Sequence, residues 1–153
     1  MSRDSGVDTV RWEDVAVGDE LPAMTIDVTP TVIVAGALAT RDFMPVHHDR
    51  SYANAQGSPD IFMNILSDTA YCSRFLTDWA GPEAMVRKLA IRLGAPMHPG
   101  SLLTYTGEVT GKSIVEASDG GADEGRIEIA LRATNDLGEH VSGTATVQVR
   151  LTP

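Results

Sequence analysis

The sequence predicts an α+β domain in which an antiparallel β-sheet wraps one buried helix, and three observations carry that prediction. Apolar residues of 61–79 recur every three or four positions, those from 89 onward recur every second position, and turn-forming residues divide this second half into short segments. The 153 residues fit a single domain, 1–153, with 1–28 as a lead-in and first strand.

Taken in order, Gly18-Asp19 offers a turn ahead of a strand at Met24–Val28. Thr29-Pro30 then sets a capping residue before a proline at the first helical position. A helix over 30–40 follows, although Val32, Ile33 and Val34 are β-branched and suit a strand as well. From Ile61 to Trp79 one stripe holds Ile61, Ile65, Thr69, Cys72, Leu76 and Trp79, and a second holds Phe62, Leu66 and Ala70. A helix apolar on two sides is expected to be buried, and Ala80-Gly81-Pro82 ends it.

The period then becomes two, at Leu89, Ile91, Leu93; at Leu103, Tyr105, Gly107, Val109; at Ile127, Ile129, Leu131, Ala133; and at Val141 through Leu151. The breaks at His98-Pro99-Gly100, Asp119-Gly120-Gly121 and Asn135 to Gly138 are short, which makes successive strands antiparallel neighbours. Each strand has an apolar and a more polar face, so one side of the sheet covers the helix. The stretch EASDGGADEG at 116–125 reads as a mobile acidic hairpin tip.

Composition excludes several functions. No apolar run approaches the roughly 20 residues that cross a bilayer, so no membrane partner is expected. The opening MSRDSGVDTVRW lacks the basic start and apolar middle of a signal peptide, so a cytoplasmic location is expected. The 12 Lys and Arg against 21 Asp and Glu give a net charge of -9, which argues against a nucleic-acid partner. Cys72 is the only cysteine, so an internal disulfide and a thiolate metal cluster are excluded, and its apolar neighbours mark a small buried hydrophobe rather than a nucleophile.

The chemistry concentrates in DFMPVHHD, residues 42–49. Asp42 and His47 stand five apart with Pro45 between them, so the segment forms a tight turn rather than a regular helix and brings the two side chains toward one point. A carboxylate and a neutral imidazole can together bind a water, take one of its protons and return a proton elsewhere. The plainer alternative is that Asp42 caps a turn and His47 satisfies a carbonyl. Asp49 reads as the N-cap of a short helix through Tyr52 and Ala53, His48 as peripheral, and His47, His48 and Asp49 lack metal-ligand spacing, so no metal is expected. The start of the buried helix, near Ile61 to Asn64, offers unpaired N–H groups to a carbonyl oxygen gaining charge. Asp68 is the odd residue in that helix and is read as solvated.

The run DFMPVHHDRSYA resembles the signature of MaoC-like enoyl-CoA hydratases, with Asp42, Pro45, Val46, His47 and Ala53 in the signature's positions. EDVAVGDELP and GAPMHPGSLLTYTGEV are similar to other parts of that family. ALATRDF, VHHDR, AQGSPDIFMNILSDT and TDWAGP resemble the small subunit of the heteromeric hydratases of actinobacterial steroid side-chain degradation.

The resemblance implies a hot-dog fold and an enoyl-CoA hydratase subunit. It would add water across the α,β-double bond of a steroid side-chain enoyl-CoA thioester in cholesterol or steroid β-oxidation. Asp42 and His47 would be catalytic, with a backbone N–H near Asn64 polarising the thioester, and Met44, Gly57, Met63 and Asn64 would bind substrate. Met44 stands where the family usually has Asn, and Met63-Asn64 where it has His-Gly, which fits a pocket widened for a bulky apolar ligand. No cofactor is implied, since coenzyme A arrives as part of the substrate. The implied partner is a larger MaoC-like chain in a heterotetramer with two copies of each, and a downstream thiolase-like aldolase is a further candidate. Two other readings compete: a non-catalytic hot-dog subunit shaping its partner's site, and an acyl-CoA thioesterase using Asp68.

Overall fold

The computed structural model describes residues 9–116 and 123–151, so residues 1–8 of the lead-in and most of the predicted acidic tip at 116–125 lie outside it. After a 3-10 turn at Trp12–Asp14 come β1 (Glu20–Val28), α1 (Pro30–Ala39), a 3-10 turn at Pro45–His47, α2 (Arg50–Ala55) and α3 (Ile65–Ala80). The chain then runs through β2 (Met85–Leu93), β3 (Ser101–Val115), β4 (Glu124–Asn135) and β5 (Gly138–Val149). Among the described residues no helix is long and apolar enough to cross a membrane.

The strands form one antiparallel sheet in the order β1-β3-β4-β5-β2. The expectation that all successive strands are neighbours fails at β2 and β3. Gly94 and Ala95 donate to His140 and Glu139 and so prolong the pairing of β2 with β5, while Gly100 donates to Val28 at 2.8 Å and starts β3 beside β1. Pro96 and Pro99 have no N–H to offer a ladder, so 94–100 crosses the sheet instead of closing a hairpin.

The ambiguous segment after β1 is a helix because its start is capped: Thr29 Oγ1 accepts from the Val32 N–H at 3.2 Å, with Pro30 in the first turn. α3 begins at Ile65, later than its apolar spacing suggests, because Asn64 caps it and residues 61–64 are not helical. It ends at Gly81, whose φ of 91° suits glycine and whose N–H returns to Thr77. Neither predicted apolar stripe is buried along its whole length: the first is exposed at Ile65 and buried at Cys72 and Leu76, and the second is exposed at Leu66 and Ala70. Ser67, Asp68, Cys72, Phe75, Leu76 and Ala80 face inward, whereas Ile65 and Leu66 are 52% and 48% exposed.

α3 lies on the apolar face made by Leu103, Tyr105, Ile127, Ile129 and Leu131. Gly107 permits the close approach, since a Cβ there would stand 3.1 Å from Phe75 Cε1. Burying a side chain the size of Leu76 or Phe75 contributes about 1.5–3 kcal/mol. Burial, reinforced by the charge of Asp68, pushes the Cys72 thiol up to about 12, so it stays protonated and serves as packing.

Asp68 corrects the sequence reading: it is fully buried, and its Oδ1 lies 2.8 Å from His140 Nε2. His140 reaches it through an irregularity. Ala133 pairs with Val141 and Thr134 with Glu139, which leaves His140 as an extra residue of β5, buried beside the equally buried Val141. Its Nδ1 lies 2.6 Å from the Ala95 carbonyl, so both ring nitrogens face acceptors and the ring donates from both as an imidazolium. Burial disfavours that charge, but the hydrogen bond and charge of Asp68, with the Ala95 carbonyl, hold the His140 pKa above its ordinary value.

The sign of the pH effect follows. A raised folded pKa contributes stability that is full below the unfolded value of about 6.5 and is lost as pH rises through the folded value. Denaturant unfolding should show this alkaline loss in the native protein and not in His140→Leu, which leaves Asp68 buried without its partner and should cost about 3–5 kcal/mol at pH 6.

Candidate active site

The site begins where α1 ends. Arg41 holds a φ of 59°, uncommon for a residue with a side chain. Its N–H returns to Leu38 at 3.1 Å and that of Asp42 to Ala37 at 2.9 Å, the paired bonds of a Schellman termination with arginine in the place usually taken by glycine. Asp42 is thus fixed at the backbone as the second residue beyond the cap, Thr40. The turn Pro45–His47 then brings His47 back, with Nε2 3.4 Å from Asp42 Oδ2.

Each group is oriented by what else it touches. His47 Nδ1 lies 2.7 Å from the Phe62 carbonyl, an acceptor, so Nδ1 carries a proton and Nε2 is the ring edge turned toward Asp42. Phe62 packs edge-on against the same imidazole at 5.0 Å between ring centroids. Asp42 accepts from Asn64 Nδ2 at 3.0 Å on Oδ2 and from the Met44 N–H at 3.3 Å on Oδ1. The Asn64 bond, then the Met44 bond, and more weakly His47, hold the carboxyl below the usual carboxylate range against the opposing effect of desolvation. Both plain roles anticipated from sequence are therefore present, Asp42 in a turn and His47 on a carbonyl, and they aim the two groups at each other.

Asn64 is the residue whose part the sequence understates. Its Oδ1 accepts from the Ser67 N–H at 3.1 Å as the cap of α3, and its Nδ2 donates to Asp42 and, at 2.9 Å, to Thr40 Oγ1. The side chain is buried and folded back onto Thr40 and Asp42. The N–H groups of Asn64, Ile65 and Leu66 have no acceptor among the described residues.

The approach to α3 is held by three bonds: Ile61 O to His98 Nδ1, Phe62 O to His47 Nδ1, and the Met63 N–H to the Met97 carbonyl. His98 was not singled out from sequence; its place on the turn before β3 gave no local signal. Met44 is exposed at 48%, Met63 is buried at 3%, and Gly57 occupies an exposed turn after α2 with a φ of 90°. Among the described contacts none joins Gly57 to Asp42 or His47. As read from sequence, Asp49 caps α2 by accepting from the Tyr52 N–H at 3.0 Å, and His48 is exposed.

A five-stranded antiparallel sheet packed on one central helix is the architecture of a hot-dog protein, and Asn64 at the start of that helix binds the Asp42 carboxylate that faces His47. R-Hydratase PhaJ1 from Pseudomonas aeruginosa (TM-score 0.79, 20% identity, 94% of this chain and 88% of that one) and a MaoC-like dehydratase from Rhodospirillum rubrum (TM-score 0.76, 23% identity, 94% and 99%) share that fold. No protein-family model matches the chain. It is 44% identical over 134 residues to the 3-oxo-4,17-pregnadiene-20-carboxyl-CoA hydratase beta subunit of Mycobacterium tuberculosis, over 88% of this chain and 96% of that protein. It matches a chain of the ChsH1-ChsH2 complex from Mycobacterium tuberculosis with a TM-score of 0.77 at 44% identity, over 88% and 98%. The chain belongs to the MaoC-like enoyl-CoA hydratase family.

The largest influence on the Asp42 carboxyl is the Asn64 amide, so Asn64→Ala should raise its pKa toward the ordinary carboxylate value near 4. Carbon-detected NMR titration of that carboxyl measures the shift; an unchanged or lower midpoint would contradict the assignment.

Proposed function

We propose that the chain is the Asp/His-bearing subunit of an enoyl-CoA hydratase that adds water across the α,β-double bond of a steroid side-chain thioester. The observation that carries this reading is the facing of Asp42 Oδ2 and His47 Nε2 at 3.4 Å. With the imidazole in its neutral Nδ1–H form, a water placed between them donates one hydrogen to each and turns a lone pair outward. That oxygen bonds to the β-carbon as the pair takes one of its protons, and the π electrons move toward the thioester carbonyl as an enolate. The α-carbon then receives a proton from the protonated member of the pair, so one water is consumed and the enzyme groups return to their starting state.

The developing enolate oxygen calls for preorganised donors. The unoccupied N–H groups at the start of α3, at the positive end of the helix dipole, suit that role, with Asn64 contributing through its backbone while its side chain serves Asp42. Support for a steroid substrate comes from the 44% identical relative, whose name gives a pregnadiene carboxyl-CoA. Phe43 and Met44 follow Asp42, Ile65 and Leu66 follow Asn64, and all four are exposed, an apolar surround suited to a rigid acyl group or to a partner's surface.

The same relative's fold occurs in a complex of two different chains, which supports a larger MaoC-like partner for this one. We extend that to two copies of each chain, with the partner supplying much of the positive charge for the coenzyme A phosphates, since this chain carries -9. Coenzyme A enters with the substrate, and no other cofactor is required. A thiolase-like aldolase would act on the product. The thioesterase alternative loses its basis, because Asp68 is enclosed and bonded to His140, out of reach of a substrate.

In the assembled complex, loss of absorbance by a conjugated enoyl thioester should slow about 100-fold or more in Asp42→Asn and in His47→Ala, and little in His48→Ala. Turnover near the native rate in both variants at 42 and 47 would place the chemistry elsewhere.

A steroidal enoyl thioester should also be consumed faster than a crotonyl one at equal concentration, because buried apolar area favours the larger group. Equal rates would remove the steroid assignment while leaving hydration intact.

A further inference from the structure

The mechanism makes no use of Asp68 and His140, yet they form the most enclosed polar cluster among the described residues. Their side chains are 0% and 2% exposed. Asp68 lies one turn beyond Asn64 on α3, and its N–H donates to the Asn64 carbonyl at 3.1 Å. His140 lies on the irregular start of β5 and bonds both Asp68 and Ala95, the latter on the crossing segment between β2 and β3. The first turn of α3 is therefore tied to the sheet by a directed bond between charged groups. Cys72 and Tyr71 of α3 and Tyr105 of β3 also act on this region, and none of them offers a competing positive charge. Among the described residues Asp68 Oδ2 and the Tyr105 hydroxyl have no hydrogen-bond partner, so the bond to His140 is the side-chain bond that orients Asp68.

What this tie controls is rotation. Apolar packing of Cys72, Phe75 and Leu76 tolerates small turns of a helix about its axis, because dispersion is non-directional, whereas a buried charged hydrogen bond does not. On the same turn, Asn64 must present one amide to Ser67, Thr40 and Asp42 together. Catalytic constellations need their groups held to within about half an ångström.

We propose that Asp68 and His140 are positioning residues for the Asp42–His47 site, fixing the rotation of the first turn of α3 so that the Asn64 amide reaches Asp42. This rests on the hydratase reading for its effect on turnover, but not for its effect on Asn64.

The test uses the full chain in its assembled complex, labelled with 15N-asparagine. The chain has three asparagines, Asn54, Asn64 and Asn135, and loss of one side-chain amide pair in Asn64→Ser assigns the signal. His140→Gln keeps a donor for Asp68 but loses the charge and the second bond. It should shift and broaden the Asn64 amide while leaving Asn54, on α2, in place. In the same sample kcat should fall about 10- to 100-fold with KM changed less than about threefold. Asp68→Asn, which keeps the shape, is read in the same way should His140→Gln not fold. A folded variant with an unmoved Asn64 amide and native kcat overturns the proposal, as does a matched loss in KM alone. Native complex without hydratase activity would instead remove the functional reading, and the Asn64 amide would still decide the positioning.

Discussion

The side-chain amide of Asn64 joins three parts of the molecule. Its oxygen caps α3 through the Ser67 N–H, and because only the oxygen can accept that bond, the NH2 end is obliged to face the other way, into Asp42 and Thr40. An N-cap of this kind contributes about 1 kcal/mol to its helix. Here the same residue also lowers the pKa of Asp42 and bridges the end of α1 to the start of α3. The carboxylate's charge and direction thus depend on the point where the central helix begins.

The rest of the architecture serves to keep that point still. Gly36 lets α1 cross close to α3, since a Cβ there would fall 2.4 Å from Ser67 Oγ. The Arg50–Asp60 pair, bonded at 2.8 Å through both Nε and Nη2, holds α2 to the segment that leads into α3. His47 and His98 then take successive carbonyls of that segment. From below, Asp68 and His140 bind the helix to the sheet, in a region where a lost partner is costly because water cannot replace it. The two histidines with carboxylate partners have opposite characters. His47 is held closely only on its Nδ1 edge, by the Phe62 carbonyl, and faces Asp42 at a longer 3.4 Å, while His140 is held at 2.8 Å or less on both edges.

Much of this was legible in the chain itself. The period-two pattern of β4 places Ile127, Ile129, Leu131 and Ala133 on the buried face, as the structure does, and Thr29-Pro30, Asp49 and Gly81 terminate helices where their chemistry says they should. The closeness of Asp42 and His47 could be read from Pro45 between them. What escaped was whatever depended on an irregularity or a distant partner. Strict alternation across β5 sends His140 outward opposite to Val141, and only the extra residue in the β4–β5 register turns it in. Without His140 in view, Asp68 looked like a solvated residue. The crossing from β2 to β3 looked like a hairpin because the turn residues are the same; which strand lies beside β3 is decided by β1, some seventy residues earlier. Asn64 was visible as the residue before the apolar run, but its second bond runs to a loop 22 positions back, which no local pattern reports.

The central claim is that Asp42 and His47 add water to an enoyl thioester. The most direct check is the mass of the product formed when the assembled complex meets a steroidal α,β-unsaturated coenzyme A thioester. Hydration predicts a single species heavier than the substrate by one water, with the thioester intact, formed about 100-fold or more slowly with Asp42→Asn. Release of free coenzyme A with an unsaturated acid, or hydration that persists at the native rate without the Asp42 carboxylate, would contradict the account.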